Sequence, residues 1–163
     1  MSSDAPKTIL LVDDDGATRG AIAKGLAFGG FRVLEAFDEA SAMGAIARET
    51  PDAILCDLRL AETDGVTLTR KMHAILHAEG RLPPFIAISG HPFARQHAMN
   101  SGIFREIVSK PVATATLVTA LRAHIRRQPT DPSRRAEAKV AMFERLHDLL
   151  AEMHDIIGKL KDQ

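Results

Sequence analysis

Aromatic residues are scarce in this chain of 163 residues, which has no tryptophan, no tyrosine and seven phenylalanines. Stacking platforms for nucleic-acid bases and aromatic cages for sugars or other ligands therefore have few side chains to be built from. The single cysteine, Cys56, excludes an internal disulfide and a multi-thiolate metal site. One unpaired cysteine also favours a reducing, cytoplasmic location.

Neither sign of charge dominates, because 21 basic residues balance 21 acidic residues. No global field would attract nucleic acid or anionic lipid. The chain also lacks an apolar run of the roughly 18–20 residues that a membrane span needs, and residues 1–8 do not resemble a secretory signal. We therefore expect a protein that is neither exported nor membrane-embedded and that does not bind DNA.

The sequence does contain five alternations of strand and helix. Short apolar runs predict strands over residues 8–12, 31–36, 53–56, 85–88 and 107–109. Helical spacing of apolar residues predicts helices over residues 17–28, 38–49, 66–78, 93–100 and 112–127. Strands that alternate with helices in this way form a parallel sheet covered on both faces. The prediction is an α/β, doubly wound fold with a five-stranded parallel sheet.

Chemically active side chains follow four of the predicted strands. Asp13 and Asp14 follow the first strand, and Asp57 follows the third. Ser89 follows the fourth strand and Lys110 the fifth. Each of these has an ordinary explanation alone, as a helix cap, a turn residue or a surface charge, but in a doubly wound sheet all of them would meet at one edge. Three converging carboxylates repel one another, and Mg²⁺ with oxygen ligands would compensate them.

Four motifs, in this order along the chain, resemble the receiver domain of two-component response regulators: VDD at residues 12–14, ILCDLRLAETDG at 54–65, AISGH at 87–91 and VSKP at 108–111. The resemblance extends over roughly residues 7–127. It implies a flavodoxin-like sheet with strand order 2-1-3-4-5 and helices on both faces.

The resemblance also implies a role for each motif residue. Asp57 would be the phosphoacceptor, Ser89 would donate a hydrogen bond to one phosphoryl oxygen, and Lys110 would pair with another. Pro111 would follow a cis peptide bond. A divalent ion, Mg²⁺ or Mn²⁺, would be held by three side chains and one backbone carbonyl: Asp13, Asp14, Asp57 and the carbonyl of Arg59.

Receivers take their phosphoryl group from a sensor histidine kinase or a histidine phosphotransfer protein. They catalyse this transfer and the later hydrolysis themselves, so the resemblance implies a signalling protein rather than a conventional enzyme. Two residues depart from the family pattern. Ala61 stands where many members have proline, and Ile107 stands where the family usually has the tyrosine or phenylalanine that swings inward on phosphorylation, the aromatic switch residue. Arg59 and His91 would flank the path of the hydrolytic water.

A second region follows two prolines in residues 128–133. We place the receiver at residues 1–128, a linker at 129–133 and a helix at 134–163. Apolar residues of this helix step by three and four, as a heptad seam requires: Phe143, Leu146, Leu150, Met153, Ile157 and Leu160. The pattern predicts an amphipathic, coiled-coil helix that forms a homodimer or docks on a partner's helices, while docking on its own domain stays open.

Three further expectations concern the function. The roughly 35 residues after Arg127 hold one helix, so we expect no DNA-binding output domain. A receiver-like interaction scaffold that is never phosphorylated is one alternative. The other is a phosphohydrolase of the haloacid dehalogenase type, since residues 13–16 satisfy its DxDG motif, although residues 111–127 lack the further acidic pair that such enzymes need.

Overall fold

The computed structural model describes residues 5–126 and 132–161 of the chain. The chain divides into two units, Met1–Gln128 and Pro129–Gln163. Residues 129–131 of the predicted linker, Arg127 at the end of the last predicted receiver helix, and the end of the C-terminal helix at 162–163 lie outside the described residues.

In the first unit, strands and helices alternate along the chain. The strands are β1 (Thr8–Val12), β2 (Arg32–Ala36), β3 (Ala53–Asp57), β4 (Phe85–Ser89) and β5 (Phe104–Ser109). The helices are α1 (Gly16–Phe28), α2 (Glu39–Arg48), α3 (Gly65–Ala78), α4 (Pro92–Ser101) and α5 (Thr114–Arg126). All strand pairs are parallel, in the order β2-β1-β3-β4-β5. The predicted doubly wound α/β fold and its strand order are confirmed.

The central strands β1, β3 and β4 are buried along their whole length. Successive side chains of a strand point to opposite faces, so β1 supplies both halves of the core. Ile9 and Leu11 pack with residues of α1 and α5, whereas Leu10 and Val12 pack with residues of α2 and α3. The continuous apolar runs of the sequence thus reflect a sheet that is covered on both faces.

Aspartates begin three of the helices at the carboxyl edge of the sheet. Asp15, Asp38 and Asp64 each accept a hydrogen bond from the backbone N–H three residues later and so cap α1, α2 and α3. Two of these caps, Asp15 and Asp64, stand within a few residues of the candidate acidic residues. They fix the direction in which the chain leaves β1 and enters α3.

Strand β5 is longer than the sequence indicates, because it begins at Phe104 rather than at residue 107. The charged pair Arg105 and Glu106 obscured its beginning. As the last strand in the order, β5 has only one neighbour, and an edge strand tolerates charged side chains that a central strand would not.

The second unit is one helix of 30 residues, α6 (Pro132–Lys161). It begins two residues earlier than expected, because proline fits the first turn of a helix, where its missing N–H has no intrahelical partner. Large apolar side chains along it are exposed: Val140, Phe143, Leu146, Leu149, Leu150, Met153 and Ile157. Among the described residues, no helix combines the length and apolar character that crossing a bilayer requires.

Candidate functional site

Three carboxylates gather where β1 and β3 end. Asp13 and Asp14 follow β1, and Asp57 is the last residue of β3. The two strands are neighbours with Val12 paired to Cys56, so their ends coincide. One oxygen from each of the three carboxylates lies within 4.8 Å of the others. Asp13 and Asp57 are buried, while Asp14 is exposed.

Lys110 brings a positive charge to this cluster from the loop after β5. Its Nζ lies 2.6 Å from Oδ2 of Asp57 and 3.6 Å from Oδ2 of Asp13. The backbone N–H of Lys110 donates to the carbonyl of Ser89, and the Lys110–Pro111 peptide bond is cis. Residues predicted from three separate motifs are therefore within reach of one another.

The electrostatics of the cluster favour a bound cation. Burial raises the pKa of Asp13, and the N–H of Asp15 and the charge of Lys110 offset this only in part. Burial alone would lower the pKa of Lys110, but the hydrogen bond and charge of Asp57 outweigh it, so that this pKa is raised. Lys110 therefore stays protonated, and one ammonium group faces three acidic groups.

The oxygen atoms of the cluster fit a hard divalent ion. Oδ1 of Asp13 accepts from the N–H of Asp15 at 2.9 Å, but its buried Oδ2 has no hydrogen-bond partner among the residues that the structure describes. A buried polar oxygen without a hydrogen bond is costly, and a metal ion would satisfy it. The carboxylate set suits Mg²⁺ or Mn²⁺ rather than a metal that prefers sulfur or imidazole.

Backbone hydrogen bonds fasten the loop after β3 to the same carboxylates. Oδ1 of Asp57 accepts from the N–H of Arg59 at 3.0 Å. Oδ2 of Asp14 accepts from the N–H of Ala61 at 2.7 Å. Because Arg59 also forms an isolated bridge with Asp64, this loop returns directly to the cap of α3. The backbone of Arg59, whose carbonyl is predicted as a metal ligand, is thereby held beside Asp57.

Ser89 lies on the other side of Asp57, at the end of β4. Asp57 pairs with Ile88 in the register between β3 and β4, so the buried Ser89 is one residue beyond it. Its Oγ accepts from the N–H of the exposed His91 at 3.2 Å. Ile107 is half-buried against the cluster that contains Leu58, Val66, Ala87 and Ala98.

Two residues that contact the site were not singled out from the sequence. Arg19 donates from Nη1 to the carbonyl of Asp13 at 2.8 Å, and nothing in the spacing of α1 indicates this contact. Gly65 begins α3, where a Cβ would come within 2.7 Å of the Cα of Leu58 and overlap the carbonyl oxygen of Asp57. The sequence showed this glycine only as the end of the motif at residues 54–65, before the helix predicted at 66–78.

The fold and the site together are those of a doubly wound α/β protein with an acidic cluster at the carboxyl edge of its parallel sheet. The family model for the response regulator receiver domain matches residues 9–122, and the chain belongs to this family. Asp15 caps α1, so it is already engaged outside the cluster that a DxDG phosphohydrolase would need. The haloacid dehalogenase alternative is therefore set aside.

Curated relatives and solved structures agree with this assignment. The chain is 30% identical over 140 residues to Response regulator MprA of Mycobacterium bovis and of Mycobacterium leprae, covering 85% of this chain and 58% of each relative. The chain thus spans a little over half the length of the curated relatives it matches.

The chain is also similar to two solved receiver structures. One is the receiver domain of a sensor histidine kinase from Pseudomonas aeruginosa PAO1 with a magnesium ion in its active site cleft, at 30% identity and TM-score 0.67, covering 74% of this chain and 98% of that one. The other is a CheY-like receiver domain from Methanospirillum hungatei JF-1, at 25% identity and TM-score 0.65, covering 74% and 94%.

Proposed function

We propose that this receiver accepts a phosphoryl group on Asp57 in a His–Asp phosphorelay and signals through protein–protein contacts. Its donor would be a sensor histidine kinase or a histidine phosphotransfer protein. The observation that carries the proposal is the buried Asp57 carboxylate 2.6 Å from the Lys110 ammonium, beside an Asp13 oxygen that finds no hydrogen-bond partner in the described part of the chain. The single, fully buried thiol of Cys56 supports a cytoplasmic location.

The chemistry balances with the residues at the site. A carboxylate oxygen of Asp57 attacks the phosphorus atom, the bond from phosphorus to the donor nitrogen breaks, and an aspartyl phosphate forms. The Lys110 ammonium and the Ser89 hydroxyl stabilise the negative charge on the phosphoryl oxygens without reacting. In hydrolysis, water attacks the phosphorus atom and the Asp57 carboxylate leaves.

A divalent ion would be held by Asp13, Asp14, Asp57 and the backbone carbonyl of Arg59. Bound there, Mg²⁺ or Mn²⁺ would neutralise charge on the transferring phosphoryl group. The magnesium ion in the related Pseudomonas receiver supports this choice, as does the all-oxygen donor set of this chain.

Incubation with acetyl phosphate, a donor that needs no kinase, tests the function directly. With Mg²⁺ present we expect each chain to gain the mass of one phosphoryl group, and with a chelator present we expect the adduct to fall to a small fraction of that level. Intact-protein mass spectrometry measures both. A chain that gains no adduct under either condition would support the scaffold alternative, which the half-buried Ile107 in place of an aromatic switch residue favours.

The proposal extends to α6, which we assign to self-association. Its exposed apolar side chains repeat at heptad spacing, and a second copy of the helix would bury them. The alternative occupant of this apolar face is the helix's own domain, and the oligomeric mass distinguishes the two.

Replacing Leu150 with glutamate is expected to dissociate the dimer. The change removes two buried leucines per dimer, each contributing roughly 1.5–3 kcal/mol, so the dissociation constant should rise on the order of 100-fold or more. Ala151→Glu is the matched control, because it places the same charge at the adjacent exposed residue outside the seam. Sedimentation equilibrium should show a dimer for the full chain and for the control, and a monomer for Leu150→Glu. A monomeric full chain would contradict self-association.

A further inference from the structure

The residues that flank the heptad seam of α6 differ sharply from one side to the other. In the heptad numbering, Phe143, Leu150 and Ile157 occupy positions a, and Leu146 and Met153 occupy positions d. The seam is bordered on one side by the g positions, here named the g flank, and on the other by the e positions, named the e flank. The g flank is wholly apolar and consists of Met142, Leu149 and Ile156. The e flank carries imidazoles and consists of Val140, His147 and His154.

Between residues 140 and 157, neither flank carries an acidic residue, a lysine or an arginine, and Lys161, which follows Leu160 of the seam, is the next residue of the e flank. The charged residues of this stretch lie at the outer positions b, c and f: Glu144, Arg145, Asp148, Glu152 and Asp155. Charge pairs at e and g ordinarily set partner choice and helix orientation in coiled coils. A partner helix with charged flanks would find no counter-charge on the flanks of α6 between residues 140 and 157. A second copy of α6 instead brings an apolar g flank and an e flank of the same composition. The matching of the flanks must then decide the orientation.

We propose that two copies of α6 pair antiparallel, with Leu146 facing Ile157 of the second copy. This inference rests on the self-association proposed above and adds its geometry. In this register Leu150 packs against Met153 of the second copy, and His147 lies beside His154 of the second copy.

The two orientations treat the flanks differently. In a parallel pair, each g residue lies against the e residue five positions later in the second helix, so that Leu149 would lie against His154. In an antiparallel pair, g residues meet g residues and e residues meet e residues. The apolar flank is then buried against itself, and the imidazoles remain together at the other, wetter edge. Burying apolar surface against apolar surface is the more stable arrangement.

Two further features point the same way. Only one of the three a positions, Ile157, has the β-branched side chain that favours parallel dimers, since the other two are Phe143 and Leu150. Antiparallel helices also place opposite ends of their dipoles together, which stabilises the pair. The first residues of the two helices then lie at opposite ends of a helix pair about 45 Å long, given 30 residues at ~1.5 Å each.

Variants of the full chain with one added cysteine test the orientation. Leu146→Cys and Ile157→Cys are treated with a short bifunctional thiol crosslinker, each alone and as a mixture in which one variant carries a mass tag. Native Cys56 stays out of the reaction, because it is fully buried and burial raises its pKa to about 12. Ala151→Cys, outside the seam, is the matched control and should give no crosslink.

The antiparallel register predicts a crosslinked product of mixed mass from the mixture and none from Leu146→Cys alone. Two copies of residue 146 would be 11 residues apart along the pair, about 16 Å, which exceeds the reach of the short linker. Crosslinking of Leu146→Cys with itself would overturn the antiparallel orientation while leaving self-association intact.

Phe143→Cys with Leu160→Cys provides a second pair in the same register, in case Leu146→Cys weakens the dimer. No mixed product from either pair, at a dimeric mass in sedimentation, would overturn the register. A monomeric mass would instead contradict the self-association on which the inference rests, and phosphorylation of Asp57 would remain a separate question.

Discussion

Replacing Asp57 with asparagine is expected to abolish phosphoryl incorporation from acetyl phosphate. The amide is not a nucleophile, so the initial rate should fall at least a thousandfold, equal to about 4 kcal/mol of activation free energy. The fold should survive, because an asparagine oxygen can still accept from the N–H of Arg59, and the Lys110 ammonium keeps Asp13 at 3.6 Å. Intact-protein mass spectrometry with Mg²⁺ present measures the adduct.

Glu62→Gln is the matched control for this experiment. The side chain of Glu62 is exposed in the loop after β3, five residues from Asp57, and the substitution is the same change from carboxylate to amide. It should leave the rate unchanged. An adduct that persists on Asp57→Asn and maps to Asp13 or Asp14 would move the phosphoacceptor to the end of β1 and contradict the assignment.

The proximity of Asp13, Asp57 and Lys110 could be predicted from their positions relative to the apolar strands of the sequence. Each of them ends a strand or directly follows one, and parallel strands of a doubly wound sheet end at the same edge. Three residues that are far apart along the chain, such as Asp57 and Lys110 at 53 positions from each other, could therefore be placed together before any distance was known. The strand order came from the family resemblance and not from the periodicity.

The contacts that complete the site depend on details that no periodicity carries. Arg19 of α1 donates to the carbonyl of Asp13, a contact that depends on the side-chain geometry and not on apolar spacing. Asp15 could equally have joined the acidic cluster, and only the geometry of the cap shows that it begins α1 instead. The start of β5 was misplaced because an edge strand relaxes the apolar pattern from which strands are recognised.

Gly65 shows the same difference between pattern and packing. The sequence places it at the end of a turn, where glycine has several ordinary reasons to occur. Its φ is not in the left-handed region, so conformational freedom is not the reason for glycine at this position. The reason is proximity, since α3 begins where its first residue touches the backbone of Asp57 and Leu58.

Replacing Gly65 with alanine is therefore expected to destabilise the protein strongly. A Cβ there would lie 2.7 Å from the Cα of Leu58 and would overlap the carbonyl of Asp57. These are backbone atoms of a buried strand end, which cannot move aside as a flexible side chain would. Overpacking of this kind costs about 1–3 kcal/mol or more, and the hydrogen bond from Gly65 N–H to the carbonyl of Leu58 would be strained as well.

The same substitution at Gly44 is expected to have the opposite effect on stability. Gly44 lies inside α2 with nothing within 4 Å of its would-be Cβ, so alanine should stabilise by about 0.5–1 kcal/mol. Urea unfolding compares both variants with the unaltered chain. Because Gly65 abuts Asp57, its variant should also incorporate phosphoryl groups more slowly while still folded. A Gly65→Ala protein as stable as Gly44→Ala would show that α3 can shift away from the site, and the close approach would then not explain the glycine.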